Sequence, residues 1–322
     1  MGPSSRRAIP GPYRKSSTKK LKFLEFNMLN LFERDFSLTD KKFNKGTDVK
    51  TEAQREALAR IIRKSDPDIM TWVEVENYRA AELFSDRYLD KKYQVFLIEG
   101  NDQRGIDVAV LVKKDLPFEV EYRSLKDLTE IKDAPVHPQQ GENKVFSRDL
   151  PMAIFRRLED GVPREEFILL STHYKSQRGD QGSFPKRLQQ AEATELAVRY
   201  LRQEFGEELP ILLTGDFNNN VPTSPEFAPI WRAGFKDSFD LSPNPIPKDR
   251  RGTHYYFPMK GPAEFNQLDG FLISGQGKYR VESALILPHL DEKGLALPHP
   301  RNYGERQARA SDHLAVEVVV EF

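Results

Sequence analysis

Six apolar runs in this 322-residue chain are bordered or interrupted by residues that could do chemistry. Residues 21–26 (LKFLEF) give way to Asn27, and residues 69–73 give way to Glu74, then Glu76 and Asn77. Residues 167–172 (FILLST) run into His173, Tyr174 and Lys175, and residues 211–215 run into Asp216 and Asn218. Asp269 sits inside Gln267-Leu268-Asp269-Gly270-Phe271, and Ser311-Asp312-His313 lies just before the last apolar run. A single Asp or Glu at a strand end is ordinarily a solvated turn residue. A set of at least four carboxylates is different, because it repels itself unless cations are shared within it. The chain has no cysteine, so thiolate metal sites and disulfides are excluded. Oxygen-rich donors favour Mg²⁺ or Mn²⁺ over zinc, and histidine beside carboxylates adds an acid–base or phosphate-binding group. The chemistry this predicts is metal-assisted hydrolysis at phosphate.

The elements that must position these residues are mostly strands. Strands are predicted over 21–28, 69–75, 95–98, 106–112, 152–155, 167–172, 211–214, 268–273, 281–287 and 314–320. Several are apolar on both alternating faces, as suits sheets covered on both sides. One helix starts at about Thr51 with Ala53, Ala57, Leu58, Ile61 and Ile62 on one stripe. Thr51 and Gln54 have capping-box spacing, and Ser65-Asp66-Pro67 stops the helix. A second begins after Ser183, with Pro185 in its first turn and Ala191, Val198, Leu201 and Phe205 on one face. A shorter helix fits 78–89. Hairpin-like turns are expected near Glu159-Asp160-Gly161 and Gln276-Gly277. Segments 124–147 and 288–310 are Pro-rich, charged and aperiodic, and read as long surface loops of the kind that carry function. There is no internal repeat. About ten strands interspersed with helices indicate an α/β protein with two packed sheets.

The net charge of zero conceals an asymmetry. Residues 1–20 carry six basic residues and no acidic one, leaving 43 basic against 49 acidic in the rest. That Pro-, Gly- and Ser-rich segment reads as a disordered basic tail, with 21–322 as the catalytic domain. No apolar h-region follows the positive charges, so the segment is not a signal peptide. Location stays open between the cytoplasm and export with a signal outside this chain. No stretch has the length and apolarity of a membrane span, and the folded body lacks the basic character of a dedicated duplex-DNA binder.

Taken in order, Asn27 in Phe-Asn-Met-Leu-Asn, Glu74 in Trp-Val-Glu, His173 in Thr-His-Tyr-Lys-Ser, Gly-Asp-Phe-Asn at 215–218, Asp269 in Leu-Asp-Gly-Phe and Ser-Asp-His at 311–313 form a specific match. The chain resembles the endonuclease/exonuclease/phosphatase superfamily, the DNase I-like proteins, over roughly residues 21–322. With Arg104-Gly105-Ile106-Asp107, the likeness is greatest to bacterial predicted nuclease-type members. The resemblance implies a four-layer α/β sandwich of two packed mixed sheets flanked by helices, with the active site at one end. It implies Glu74 as principal Mg²⁺ ligand (Mn²⁺ being the alternative), with Asn27 and Asp312 in the metal shell. Asp216 would orient or deprotonate the water and Asn218 would fix its geometry. His313 would pair with Asp269 and meet a phosphate oxygen, and His173 would contact the same phosphate. Lys175, Arg178, Arg104 and Arg148 are the substrate-binding candidates, and Lys186 and Arg187 could extend a basic patch. Some nuclease branches carry a carboxylate two residues after the first-strand Asn; Leu29 stands there, which removes one ligand of a second metal site.

The expected function is a Mg²⁺-dependent phosphodiesterase acting on a phosphodiester such as nucleic acid, as a monomer. The alternatives are a phosphomonoesterase or lipid phosphodiesterase of inositol-phosphatase or sphingomyelinase type, and a catalytically silent binding module.

Overall fold

The computed structural model describes residues 5–8, 20–33, 49–102, 104–126, 144–159, 162–177, 183–277 and 279–322. The strands begin with β1 (Ser5–Ala8), β2 (Lys20–Leu31), β3 (Ile69–Val75), β4 (Tyr93–Phe96) and β5 (Asp107–Lys113). There follow β6 (Phe118–Ser124), β7 (Pro151–Glu159), β8 (Val162–His173), β9 (Ile211–Asp216) and β10 (Lys236–Asp237). The last are β11 (His254–Tyr256), β12 (Glu264–Asn266), β13 (Asp269–Ser274), β14 (Arg280–Leu287) and β15 (Ala315–Glu321). The helices are α1 (Glu52–Ser65), α2 (Tyr78–Tyr88), α3 (Ser183–Phe205), α4 (Ala228–Arg232), α5 (Ser238–Leu241) and α6 (Tyr303–Gln307).

One sheet has the order β14-β15-β2-β3-β5-β4, the other β1-β6-β7-β8-β9-β13-β10, and β11 pairs only with β12. Both large sheets are mixed, since β2–β3 and β8–β9 run parallel among antiparallel neighbours. Side-chain alternation divides each strand between two cores. Phe23, Val110 and Val318 of the first sheet meet Phe155, Phe167 and Phe271 of the second between the sheets. On the outer faces, Leu24, Phe26 and Trp72 pack on Leu58, Ile62 and Phe84 of α1 and α2. Ile168, Leu170, Ile211 and Leu213 pack on Ala197, Val198 and Leu201 of α3. The architecture is therefore the four-layer sandwich that the resemblance implied.

Local chemistry accounts for the helix ends. The Gln54 N–H donates to Thr51 Oγ1 at 3.2 Å and the Thr51 N–H donates to Gln54 Oε1 at 2.9 Å, closing the capping box. Asp66 ends α1 in the left-handed region at φ 49°, and Pro67 follows.

Three expectations are corrected. Glu159 and Val162 are paired across β7 and β8 as expected, but the Gln276-Gly277 turn joins no hairpin. It carries the chain from β13 in one sheet to β14 in the other. The basic segment 1–20, expected to be without structure, contributes Ser5–Ala8 as an edge strand antiparallel to β6, and Lys20 opens β2. The long loop 288–310 contains α6 and a Leu290–Ala296 bridge; most of the other, 127–143, lies outside the described residues. The strand β6 had no counterpart among the predicted strands, although Phe118, Val120 and Tyr122 alternate with Glu119, Glu121 and Arg123 as in a half-buried strand.

Candidate active site

The inter-sheet rows change character at one end of the sandwich. On β2 the row runs Phe23, Glu25, Asn27; on β8 it runs Phe167, Leu169, Ser171, His173. On β9 it runs Leu212, Thr214, Asp216, and on antiparallel β13 it runs Ile273, Phe271, Asp269. Period-two geometry thus gathers the polar ends of separate strands into one cluster. Parallel pairing sets His173 opposite Asp216, and antiparallel pairing sets Asp216 opposite Asp269.

Asp216 is the hub. Its Oδ2 accepts from Asn27 Nδ2 and from Asn218 Nδ2, each at 3.1 Å, while its Oδ1 accepts the Asn218 N–H at 2.7 Å. Asn218 also donates to the Tyr174 carbonyl at 3.1 Å, and its φ of 56° turns the chain back over the carboxylate. His173 Nε2 lies 3.6 Å from Asp216 Oδ2 and 3.8 Å from Glu74 Oε1. Burial, followed by the repulsion of Asp269, raises the Asp216 carboxyl to about 7 against the opposing pull of His313. Burial and the charges of Arg148, His313 and Arg104 hold His173 well below its ordinary value, so it is neutral.

Facing this hub, His313 Nδ1 is 2.7 Å from Asp269 Oδ2, and its Nε2 is 3.9 Å from both Asp216 Oδ2 and Asp312 Oδ1. Burial opposes the charge of His313, but Asp269, Asp216 and Asp312 together raise it well above the usual histidine range. Ser311 fixes this segment by donating to the Asn27 carbonyl at 2.8 Å and accepting the His313 N–H at 3.1 Å. Asp312 is paired with Arg306 and lies 3.5 Å from His254 Nε2. Burial would raise Asp312, but His254, His313 and Arg306 outweigh it and hold the carboxyl far below its usual range.

Glu74 stands on a bulge. The register with β5 shifts between Val73 and Val75, and Glu74 takes φ 62°. Left-handed geometry at a non-glycine costs about 1–3 kcal/mol; here it aims the carboxylate into the cleft and returns Val75 to the helix side. The chain after Asn27 bulges in turn, with Leu29 at φ 47° and Asn30 at φ 56°. The Leu29 N–H donates to Asn27 Oδ1 at 2.9 Å, and the Asn30 N–H donates to Glu74 Oε2 at 3.1 Å. Lys50 donates to the Ala310 carbonyl at 2.5 Å, close enough to feel both Glu74 and Asp312. Burial brings its ammonium down to about 8.

This donor set fits a divalent cation. Among the described residues, Asp312 Oδ1 is buried without a hydrogen-bond partner. Two groups, Asp216–Asp269–His313 and His254–Asp312–His313, place their ligand atoms within 4.8 Å of one another. Glu74 lies 3.8 Å from His173 Nε2, Asn27 turns its Nδ2 to Asp216, and Asp312 lies 3.9 Å from His313 Nε2, so all three adjoin the same cluster.

The basic candidates divide. Arg148 is buried, 3.0 Å from Asp102 Oδ2, and donates to the Tyr174 carbonyl at 2.8 Å beside the hub. Arg104 is exposed and pairs with the same Asp102 at 3.3 Å. Lys175 Nζ lies 3.4 Å from the Ser176 carbonyl, and Arg178 lies outside the described residues. Arg187 leaves the expected basic patch: it is buried in an ion pair with Glu226 at 2.9 Å and serves the packing of α3. Lys186 donates to the Lys144 carbonyl at 2.6 Å, clear of the hub.

Four residues at the site escaped the sequence reading. Glu25 is fully buried two positions before Asn27, and neither of its oxygens has a hydrogen-bond partner among the described residues. Its even spacing from Asn27 on β2 was the available signal. Lys50, His254 and Arg306 reach the site from loop, hairpin and short helix, where no period marks them. Asn219 ties the segment down by donating to Glu226 at 2.6 Å.

The sequence profile of the Endonuclease/Exonuclease/phosphatase family matches residues 24–313. No curated protein matches the chain by sequence. Solved structures with the same fold include a truncated TDP2 of Caenorhabditis elegans, at 17% identity and TM-score 0.57, covering 94% of this chain and 98% of that one. The mannosyl-6-phosphatase of Bacteroides thetaiotaomicron is similar at 18% identity and TM-score 0.59, covering 94% and 100%. The human Nocturnin catalytic domain with bound sulfate gives 17% identity and TM-score 0.60, covering 95% of each chain. With the profile matched across nine-tenths of the sequence and the strand ends converging on one carboxylate–imidazole cluster, the chain belongs to the Endonuclease/Exonuclease/phosphatase family of phosphate-ester hydrolases.

Proposed function

We propose that this protein is a Mg²⁺-dependent phosphodiesterase of nuclease type, with Mn²⁺ the other ion its donors would accept. The observation that carries the reading is the opposition of a buried carboxyl group, Asp216, to an Asp269-held imidazole, His313, across 3.9 Å. When bound, a divalent ion held by Glu74, Asn27 and Asp312 would supply Lewis acidity to the phosphate and leaving oxygens. The chain's own residues supply the rest. Asn27 and Asn218 fix the Asp216 carboxylate, which takes the proton of the attacking water as its oxygen bonds to phosphorus. The ester P–O bond opposite the attack breaks. His313 donates from Nε2 to a nonbridging oxygen as charge grows there, and Asp269 keeps the ring oriented and charged. Neutral His173 closes the other wall, and Arg148 adds a fixed positive field.

The β11–β12 hairpin supports a nucleic-acid substrate. His254 and Tyr256 share one face of β11, and His254 is bridged to His313. That sets the half-exposed Tyr256 ring at the rim of the site, where it can stack a base. The likeness to a protein named mannosyl-6-phosphatase keeps a phosphomonoesterase as the second reading. A panel decides between them: single- and double-stranded DNA, RNA, bis-(p-nitrophenyl) phosphate, p-nitrophenyl phosphate, sugar and inositol phosphates, and sphingomyelin vesicles, each with Mg²⁺ and with EDTA. Cleavage of diesters ahead of monoesters supports the proposal; turnover of monoesters alone overturns it.

A further inference from the structure

Two imidazoles and a carboxylate meet where β11 approaches the segment before β15. A backbone bridge holds His254 against His313, with ring centroids 4.5 Å apart and planes inclined by 46°. His254 Nε2 lies 3.5 Å from Asp312 Oδ2, and His313 Nε2 lies 3.9 Å from Asp312 Oδ1. One ligand atom from each of the three side chains falls within 4.8 Å of the others.

We propose that His254, Asp312 and His313 form a site for a borderline transition-metal dication, with Zn²⁺ as the test ion, that shares only Asp312 with the oxygen-donor set of Glu74, Asn27 and Asp312. Two imidazole nitrogens and one carboxylate oxygen suit zinc-like ions, whereas Mg²⁺ prefers oxygen. The outer shell is already built. Asp269 accepts from His313 Nδ1 at 2.7 Å, which leaves Nε2 as the ligating nitrogen in the carboxylate–histidine–metal arrangement. Arg306 engages Asp312 Oδ2, while Oδ1 is buried without a hydrogen-bond partner among the described residues. An ion at His313 Nε2 binds in exchange for the proton there, and the Asp216 and Asp269 carboxyl groups beside the ring offset the charge of the dication. The His254 side chain is 16% exposed and gives the ion a path from solvent. An ion bound here takes His313 away from phosphate, so Zn²⁺ inhibits. That consequence rests on the role proposed above for His313; the binding itself does not.

The test is a Zn²⁺ titration of the metal-free full chain, followed by histidine-ring nitrogen resonances and by competition with a chromophoric chelator. One equivalent of Zn²⁺ is expected to shift Nε2 of His254 and His313. His254→Phe, which keeps a stacking ring, should weaken binding by roughly tenfold or more, while Glu74→Gln should leave Zn²⁺ bound. Unchanged affinity in His254→Phe, or shifts at His173 with none at His254, overturns the site. If His254→Phe does not fold, the wild-type ring resonances decide. A chain that binds Zn²⁺ at these rings but hydrolyses no phosphate ester keeps this site and loses the function proposed above. A chain that hydrolyses diesters without binding Zn²⁺ there does the reverse.

Discussion

Asp216 and Asp269 are direct partners across the antiparallel β9–β13 pair, both buried, with His313 between them and Asn27 and Asn218 donating to Asp216. Like charges opposed on a sheet destabilise it. The fold holds them there because the two strands continue into the inter-sheet core.

The first consequence is a pH-dependent stability. Burial raises Asp216 from an ordinary 3.8 to about 7. A carboxyl raised in the folded state contributes stability that is full below its unfolded value and lost as pH rises through the folded one. Metal-free protein should therefore melt at lower temperature as pH climbs from about 4 to about 8. Asp216→Asn should flatten that slope. Thermal unfolding across pH in EDTA measures it, and an unchanged slope in the variant contradicts the assignment.

Asp269→Asn probes the imidazolium. The carboxylate is the main attractive charge raising His313, so its loss lowers the His313 value. The alkaline limb of the rate profile should move to lower pH, and kcat/KM should fall by about 10²-fold or more. A fall with no movement of the limb would reduce Asp269 to a structural role.

Glu25 is a carboxyl whose burial, with Asp269 and Asp216 nearby, raises it well above the usual range. Replacing a buried, unpartnered polar group by an apolar one of similar size removes its desolvation cost, about 1–3 kcal/mol. Glu25→Leu should raise the melting temperature of the metal-free protein, most at high pH. A lower melting temperature would show that Glu25 has a structural partner unaccounted for.

Tyr256 tests the substrate class. Stacking of a base on an aromatic ring is worth about 1–3 kcal/mol. Tyr256→Ala should raise KM for a nucleic acid by about tenfold and leave bis-(p-nitrophenyl) phosphate turnover nearly unchanged. Equal effects on both substrates would remove the hairpin from recognition.

Much of this was legible in the sequence, for physical reasons. Strands such as Ile211–Asp216 are apolar on both faces because both sheets are covered, and α1 has its cap and stop signals in the residues that adjoin it, Thr51 and Asp66. The order of Asn27, Glu74, His173, Asp216, Asp269 and His313 marked the cluster, since each ends or interrupts a run whose inward row must lead somewhere. The rest depends on contacts remote in sequence. Glu74 needed a bulge with φ 62° to enter the cleft. His254 joins the site only through its bridge to His313, 59 positions later in the numbering. The Gln276-Gly277 turn shows the limit of local signals: its chemistry permits a hairpin, but the apolar faces of β13 and β14 belong to different sheets.

The central claim is that Asp216 serves a metal-dependent hydrolysis at phosphate. The most direct measurement is the rate of bis-(p-nitrophenyl) phosphate hydrolysis by wild type and Asp216→Asn, each with Mg²⁺ and with EDTA. The account predicts Mg²⁺-dependent turnover in wild type, a loss of about 10²-fold or more in the variant, and none in EDTA. Comparable rates for the two proteins, or full activity in EDTA, would contradict it.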